Sequence, residues 1–252
     1  MNIVFGILIP FLGTTIGSSL VFFMKNKINV NIEKILIGLA AGVMVSASFG
    51  SLLSPAMELA IIQKIEPWIP TSIGFMVGML FLILINLVIK KIKNEKKLEI
   101  NKTFMLTFAV ILHNIPEGMA VGVAFAGALS KNMIMTVSSA FAISIGIAIQ
   151  NFPEGAIISM PIKGEGKNKT KAFLIGMLSG IVEPIFAFIT LYITSFINNI
   201  LPYILSFAAG AMFFVVIDEL IPEGQSNRKD NLLNIGFMFG FVIMMILDTM
   251  LG

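Results

Sequence analysis

His113-Asn114-Ile115-Pro116-Glu117-Gly118 and Gln150-Asn151-Phe152-Pro153-Glu154-Gly155 lie in the middle of two long apolar segments. Both segments have the length and apolarity of membrane spans, so each motif puts a carboxylate where hydrocarbon is expected. A charged side chain at the bilayer centre costs about 2.5–3.5 kcal/mol on insertion scales. A chain that repeats this cost in near-identical context points to a cation shared between the two helices.

The rest of the chain supports a membrane setting. Of its 252 residues 57% are hydrophobic and 12% charged, and the mean hydropathy is +0.96. Soluble domains carry about 25% charged residues, so this is the composition of a polytopic membrane protein, read as a single domain over residues 1–252. The absence of cysteine excludes disulfides, thiolate-bound zinc, iron–sulfur clusters and thiol nucleophiles. One histidine cannot build a His-rich metal site. The net charge of +3 is no nucleic-acid signal, because the basic residues cluster at span ends.

Apolar runs of about 20 residues predict eight spans: 3–24, 35–57, 70–90, 104–128, 133–161, 172–196, 201–222 and 233–251. Charge tests the count. With both termini on one side, the opposite face receives Lys25, Lys27 and Lys34, the six lysines of Lys90 to Lys102, Lys163, Lys167, Lys169 and Lys171, and Arg228 and Lys229. Only Lys64 and Lys131 remain on the terminal side. Such an excess marks cytoplasmic loops, so both termini are expected outside and 91–103 forms a cytoplasmic loop. The first span lacks a basic leader and an Ala-x-Ala-like site, and reads as an uncleaved helix. Trp68 and Tyr203 fall near span ends, as interfacial anchors do.

Glycine pairs four apart recur in six spans: Gly13/Gly17, Gly38/Gly42, Gly74/Gly78, Gly118/Gly122, Gly176/Gly180 and Gly236/Gly240. Lipid gives helices no hydrophobic reason to associate, so close approach through small residues drives packing. The pattern predicts a tight bundle with little room for an open pore. The 17 methionines and 22 phenylalanines read as packing and lipid-facing residues.

Helical spacing puts His113, Asn114 and Glu117 on one face, and Gln150, Asn151 and Glu154 on the matching face of the next span. Antiparallel neighbours with mid-span motifs can meet at one depth. Pro116 and Pro153 each remove a backbone hydrogen bond, with a kink expected that opens space for an ion. Nitrogen and oxygen donors without sulfur suit Zn²⁺, Fe²⁺ or Mn²⁺ and disfavour Cu⁺. Two facing glutamates can also bridge a pair of ions. The plainer alternative for His113, Asn114 and Asn151 is an interhelical hydrogen bond.

Glu183 precedes Pro184 inside span six, as a further ligand or as a lone protonated acid. Asp218 and Glu219 near the cytoplasmic end of span seven are exit-path ligands or interfacial acids. Ser51 lines the outer approach or packs, and Asp248 reads as solvated.

These residues resemble those of the ZIP family of divalent-metal transporters, its bacterial GufA-type branch in particular. The resemblance rests on HNIPEG, QNFPEG, Glu183-Pro184, Asp218-Glu219-Leu220-Ile221-Pro222-Glu223, and Ala40-Ala41-Gly42-Val43-Met44 leading to Ser51. It covers essentially the whole chain. It implies an all-α fold of eight transmembrane helices, an inverted 3+2+3 repeat and both termini extracytoplasmic. It also implies a binuclear mid-membrane site. His113, Glu117, Gln150 and Glu154 would hold one ion, and Asn114, Glu117, Asn151, Glu154 and Glu183 the other. Glu219 and Ser51 would line the inner and outer routes. Many relatives carry His or Asp where this chain has Gln150 and Asn151, and a neutral amide there weakens binding. Loop 91–103 has no histidine, so the family's His-rich sensing loop is absent.

The expected activity is movement of Zn²⁺, and with it Fe²⁺, Mn²⁺ or Cd²⁺, into the cytoplasm. Zinc is then the transported substrate and no cofactor is expected. A selective channel would use the same residues. A membrane metallohydrolase would need three ligands and an open water position, which His113, Glu117 and Glu154 supply, but no H-E-x-x-H or Ser–base pair accompanies them. The expected partners are divalent metal ions and the lipid bilayer, with no nucleic acid; a homodimer stays open. The compact, Lys/Ile/Asn-rich chain suggests a bacterial inner membrane.

Overall fold

The computed structural model describes residues 2–23, 29–96, 102–129, 136–194, 200–225 and 230–251. The described residues are nearly all helical. The helices are α1 (Ile3–Ser19, continued by a 3₁₀ turn), α2 (Val30–Ala47), α3 (Ser54–Ile62), α4 (Trp68–Lys96), α5 (Lys102–Leu129) and α6 (Val137–Gly164). They are followed by α7 (Lys169–Ser179), α8 (Val182–Thr194), α9 (Leu201–Val215), α10 (Ile221–Gly224) and α11 (Leu232–Leu251). Seven stretches among the described residues are long and apolar enough to cross a membrane. The 28-residue α5, which carries the first motif, is the eighth long helix. The protein is thus an all-α, multi-pass membrane protein.

Helix starts follow local capping chemistry. Asn2, Asn29, Thr136 and Asn168 each accept a hydrogen bond from a backbone N–H of the first turn, satisfying a donor that the helix cannot. α4 runs on to Lys96, so the expected 91–103 loop begins as helix. Its Lys- and Glu-rich sequence favours helix, and the basic residues suit a helix C-terminus.

Prolines sit in two kinds of place in the bundle. α5 and α6 stay α-helical through Pro116 and Pro153. Helix interruptions fall in the second, sixth and seventh spans. A π segment, Ser48–Leu53, joins α2 to α3 ahead of Pro55, and another, Val216–Leu220, joins α9 to α10 ahead of Pro222. Proline donates no hydrogen bond to the residue four back, and the wider π turn absorbs the mismatch. In the sixth span α7 ends at Gly180, whose carbonyl accepts from Glu183 N at 3.1 Å. Pro184 could not have made the usual bond to that carbonyl.

Glycines decide which helices touch. α1 packs on α6, α5 on α8, α2 on α11 and α4 on α9 as the most extensive pairs. Gly13 and Gly17 of α1 face the backbone of Ala148 and Phe152, and Gly118 and Gly122 of α5 face that of Glu183 and Ala187. Gly74 and Gly78 of α4 approach the backbone of Tyr203 and Phe207, while Gly38, Gly42, Gly236 and Gly240 bring α2 and α11 together. At each position a methyl group would collide with main chain, which cannot swing aside. Contacts between α2 and α6, and between α5 and α9, join the two sets of pairs.

Near a helix end, Lys34 is buried and its Nζ lies 2.7 Å from Asp230 Oδ2. This ion pair ties the start of the second span to the segment before α11.

Candidate metal centre

The two sequence motifs meet at the core of the bundle. Glu117 on α5 and Gln150 on α6 are both fully buried, and Gln150 donates its Nε2 to Glu117 Oε1. The mid-span register predicted from spacing therefore brings the facing motifs into contact. Glu154 lies one turn beyond Gln150 on the same helix and is also buried.

A second group forms around Glu183, which is 1% exposed. Its Oε1 accepts from Asn114 Nδ2 at 3.2 Å and from Thr14 Oγ1 at 3.1 Å. Its Oε2 accepts from Asn151 Nδ2 at 2.7 Å. Each asparagine makes a further bond to main chain, Asn114 to Ser179 O at 3.2 Å and Asn151 to Pro10 O at 3.4 Å. Four helices, α1, α5, α6 and α8, thus converge on one carboxylate. Glu183 arrives there because the break at Gly180 starts α8 at Val182.

The amide oxygens give the site its chemical character. Asn114 Oδ1, Gln150 Oε1 and Asn151 Oδ1 are buried and accept no hydrogen bond. A buried acceptor left without a donor costs about 1–3 kcal/mol. Of the three, one lies beside Glu117 and two beside Glu183, and hard oxygen donors of this kind suit a divalent cation. Among the described residues no three acidic side chains gather to hold an ion by themselves. The backbone of His113 belongs to α5, one turn before Glu117; its side chain lies outside the described residues.

The peripheral candidates have other partners. Ser51, on the first π segment, is buried and donates to Asp248 Oδ1 of α11. Asp248, expected to be solvated, is therefore half of a part-buried polar pair. Its place near the end of α11 suggested water, but the close packing of α2 and α11 brings it over Ser51. Asp218, on the second π segment, accepts from Asn86 Nδ2 of α4 at 2.7 Å and is exposed. Glu219, next in sequence, is partly buried. The Glu223 side chain lies outside the described residues.

Comparison with known proteins places this architecture. The family model described as ZIP Zinc transporter matches residues 98–248, which include both motifs, Glu183, Asp218 and Asp248. The chain belongs to the ZIP zinc transporter family. Zinc transporter ZIP11 of Xenopus tropicalis is 34% identical over 317 residues, covering 95% of this chain and 94% of that protein. Zinc transporter ZIPB of Bordetella bronchiseptica is 32% identical over 253 residues, covering 96% and 79%. Zinc transporter GufA of Myxococcus xanthus is 37% identical over 152 residues, covering 60% and 57%. Bacterial relatives such as ZIPB and GufA are consistent with the bacterial branch that the resemblance implied, and vertebrate ZIP11 matches as well.

Three polar features of this ZIP chain escaped sequence reasoning: Thr14, Asn86 and the partner of Asp248. Asn86 carried a readable signal, an amide inside an otherwise apolar span. Thr14 follows Gly13 on α1 and is buried, with its hydroxyl on Glu183 of α8.

Proposed function

We propose that the protein carries Zn²⁺ and similar divalent cations across the membrane into the cytoplasm, through a site on α5 and α6 in which Glu117, Glu154, Gln150 and His113 are ligands. The observation that carries this reading is the buried pairing of Glu117 with Gln150 in a setting of amide oxygens that lack donors. A dication neutralises carboxylates that hydrocarbon would otherwise exclude. The curated relatives are named as zinc transporters, and we infer no catalytic role for this chain.

Alternating access needs two bodies that move against each other around a midplane site. The helix pairs α1–α6 and α5–α8 share the central carboxylates, while α2–α11 and α4–α9 form the other set. We read these as the moving parts of a carrier. An inverted 3+2+3 repeat accounts for the pairing, because exchanging spans one to three with spans six to eight, and four with five, turns each extensive pair into another. The π segments support it too: they interrupt spans two and seven, the equivalent positions, each ahead of a proline. Outward termini follow from the lysine distribution, and the bacterial relatives favour a bacterial inner-membrane setting.

Zinc uptake into proteoliposomes tests the proposal. A carrier gives saturable, steeply temperature-dependent uptake, with Fe²⁺, Mn²⁺ and Cd²⁺ as competitors. Uptake equal to that of protein-free vesicles would refute transport, and non-saturating flux would favour a channel.

A further inference from the structure

Glu183 faces hydrogen-bond donors on both of its oxygens: Thr14 and Asn114 on Oε1, Asn151 on Oε2. Each asparagine amide has two N–H bonds and both have acceptors, one on Glu183 and one on a main-chain carbonyl. An amide held at both hydrogens cannot rotate without losing two bonds, so the direction of its oxygen is fixed. Those oxygens, Asn114 Oδ1 and Asn151 Oδ1, are buried and accept no hydrogen bond. The reverse placement of the amide atoms would set carbonyl oxygens against carboxylate oxygens at 2.7 and 3.2 Å. The amide nitrogens have no available lone pair for a metal, and their hydrogens repel a cation from the space beside Glu183.

Resting on the transport reading, we infer that Glu183 is a positioning residue and not a metal ligand, orienting the amide oxygens of Asn114 and Asn151 so that the site takes one divalent cation instead of two. Glu183 acts through the asparagines as outer partners of metal ligands commonly do, fixing their orientation. Thr14 extends the arrangement to α1. That all three acids fail to form one cluster among the described residues agrees with this division of labour. The neutral amide at position 151 is what makes the difference. An aspartate there would remove the donor to Oε2 and set two carboxylates face to face, which is a cation site.

Equilibrium dialysis of the purified full chain against Zn²⁺, with metal counted per chain, tests the inference. The native protein is expected to bind one ion. Glu183→Gln should keep that single ion with affinity weakened about 10–100-fold. Thr14→Val should weaken it less, and Thr14→Ser should restore it. Asn151→Asp should raise the count to two. A native count of two, falling to one in Glu183→Gln, overturns the inference while leaving transport intact. A native count of zero overturns the metal site itself. If a variant fails to fold, the native count still decides between one ion and two.

Discussion

Asn86 of α4 donates to Asp218 at 2.7 Å beside the π segment of the seventh span, and Ser51 donates to Asp248 beside the π segment of the second. Both pairs join an interrupted helix to the partner it packs against most closely. Since π segments disturb the regular backbone ladder and often mark functional sites, these positions suit an ion in passage better than one at rest. Asp218→Ala is therefore expected to slow zinc uptake several-fold while leaving the number of ions bound at equilibrium unchanged. Uptake rate and equilibrium binding measured on the same preparation check this. A loss of bound zinc would place Asp218 in the central site instead.

Uptake should decline as the pH falls from neutral to mildly acidic. Carboxylate and imidazole groups bind metal only when deprotonated, so protons compete with the cation. Initial rates at fixed free Zn²⁺ across that range measure the effect, and a flat profile would contradict it.

Glycine contacts set the stability of the bundle. Gly17→Val places atoms against the Phe152 carbonyl, where main chain cannot yield, and overpacking of this kind costs about 1–3 kcal/mol. A methyl group added at Gly164 would meet nothing within 4 Å, so Gly164→Ala is expected to be neutral or mildly stabilising. Thermal unfolding in detergent, compared between the two variants, checks the contrast. Equal melting temperatures would mean that the α1–α6 contact is loose.

Asp230 provides a pH-dependent contribution outside the spans. The hydrogen bond from Lys34 holds its carboxyl below the ordinary value near 3.8. A carboxyl lowered on folding adds stability above its ordinary value and loses it as pH falls through the lower, folded value. The melting temperature of Asp230→Asn should thus lie below the native one at neutral pH, with the gap closing under acid. Because Asp230 is exposed, the gap should also shrink with salt.

Much of this molecule is legible in one chain. Hydropathy and the placement of lysines give the spans, and the two Pro-Glu-Gly motifs give Glu117, Gln150 and Glu154 with their facing geometry. The glycine pairs anticipate helix contact, though not which helices meet, because spacing along one helix says nothing of its partner. Thr14 and Glu183 are 169 residues apart, and nothing local in either sequence announces the bond. The prolines are hard to read for a related reason. Pro116 and Pro153 lie within continuous helix, whereas Pro55, Pro184 and Pro222 follow the breaks, and only the packing around each ring decides between those outcomes. Asp248 looked solvated for the same want of a partner.

X-ray absorption at the zinc edge of the loaded protein tests the central claim most directly, that the cation rests among the oxygen and nitrogen donors of α5 and α6. The expected spectrum has a first shell of oxygen and nitrogen only, at about 2.0–2.2 Å, lost when Glu117→Ala and Glu154→Ala are combined. A sulfur scatterer from the abundant methionines, or a spectrum indifferent to those two substitutions, would contradict it.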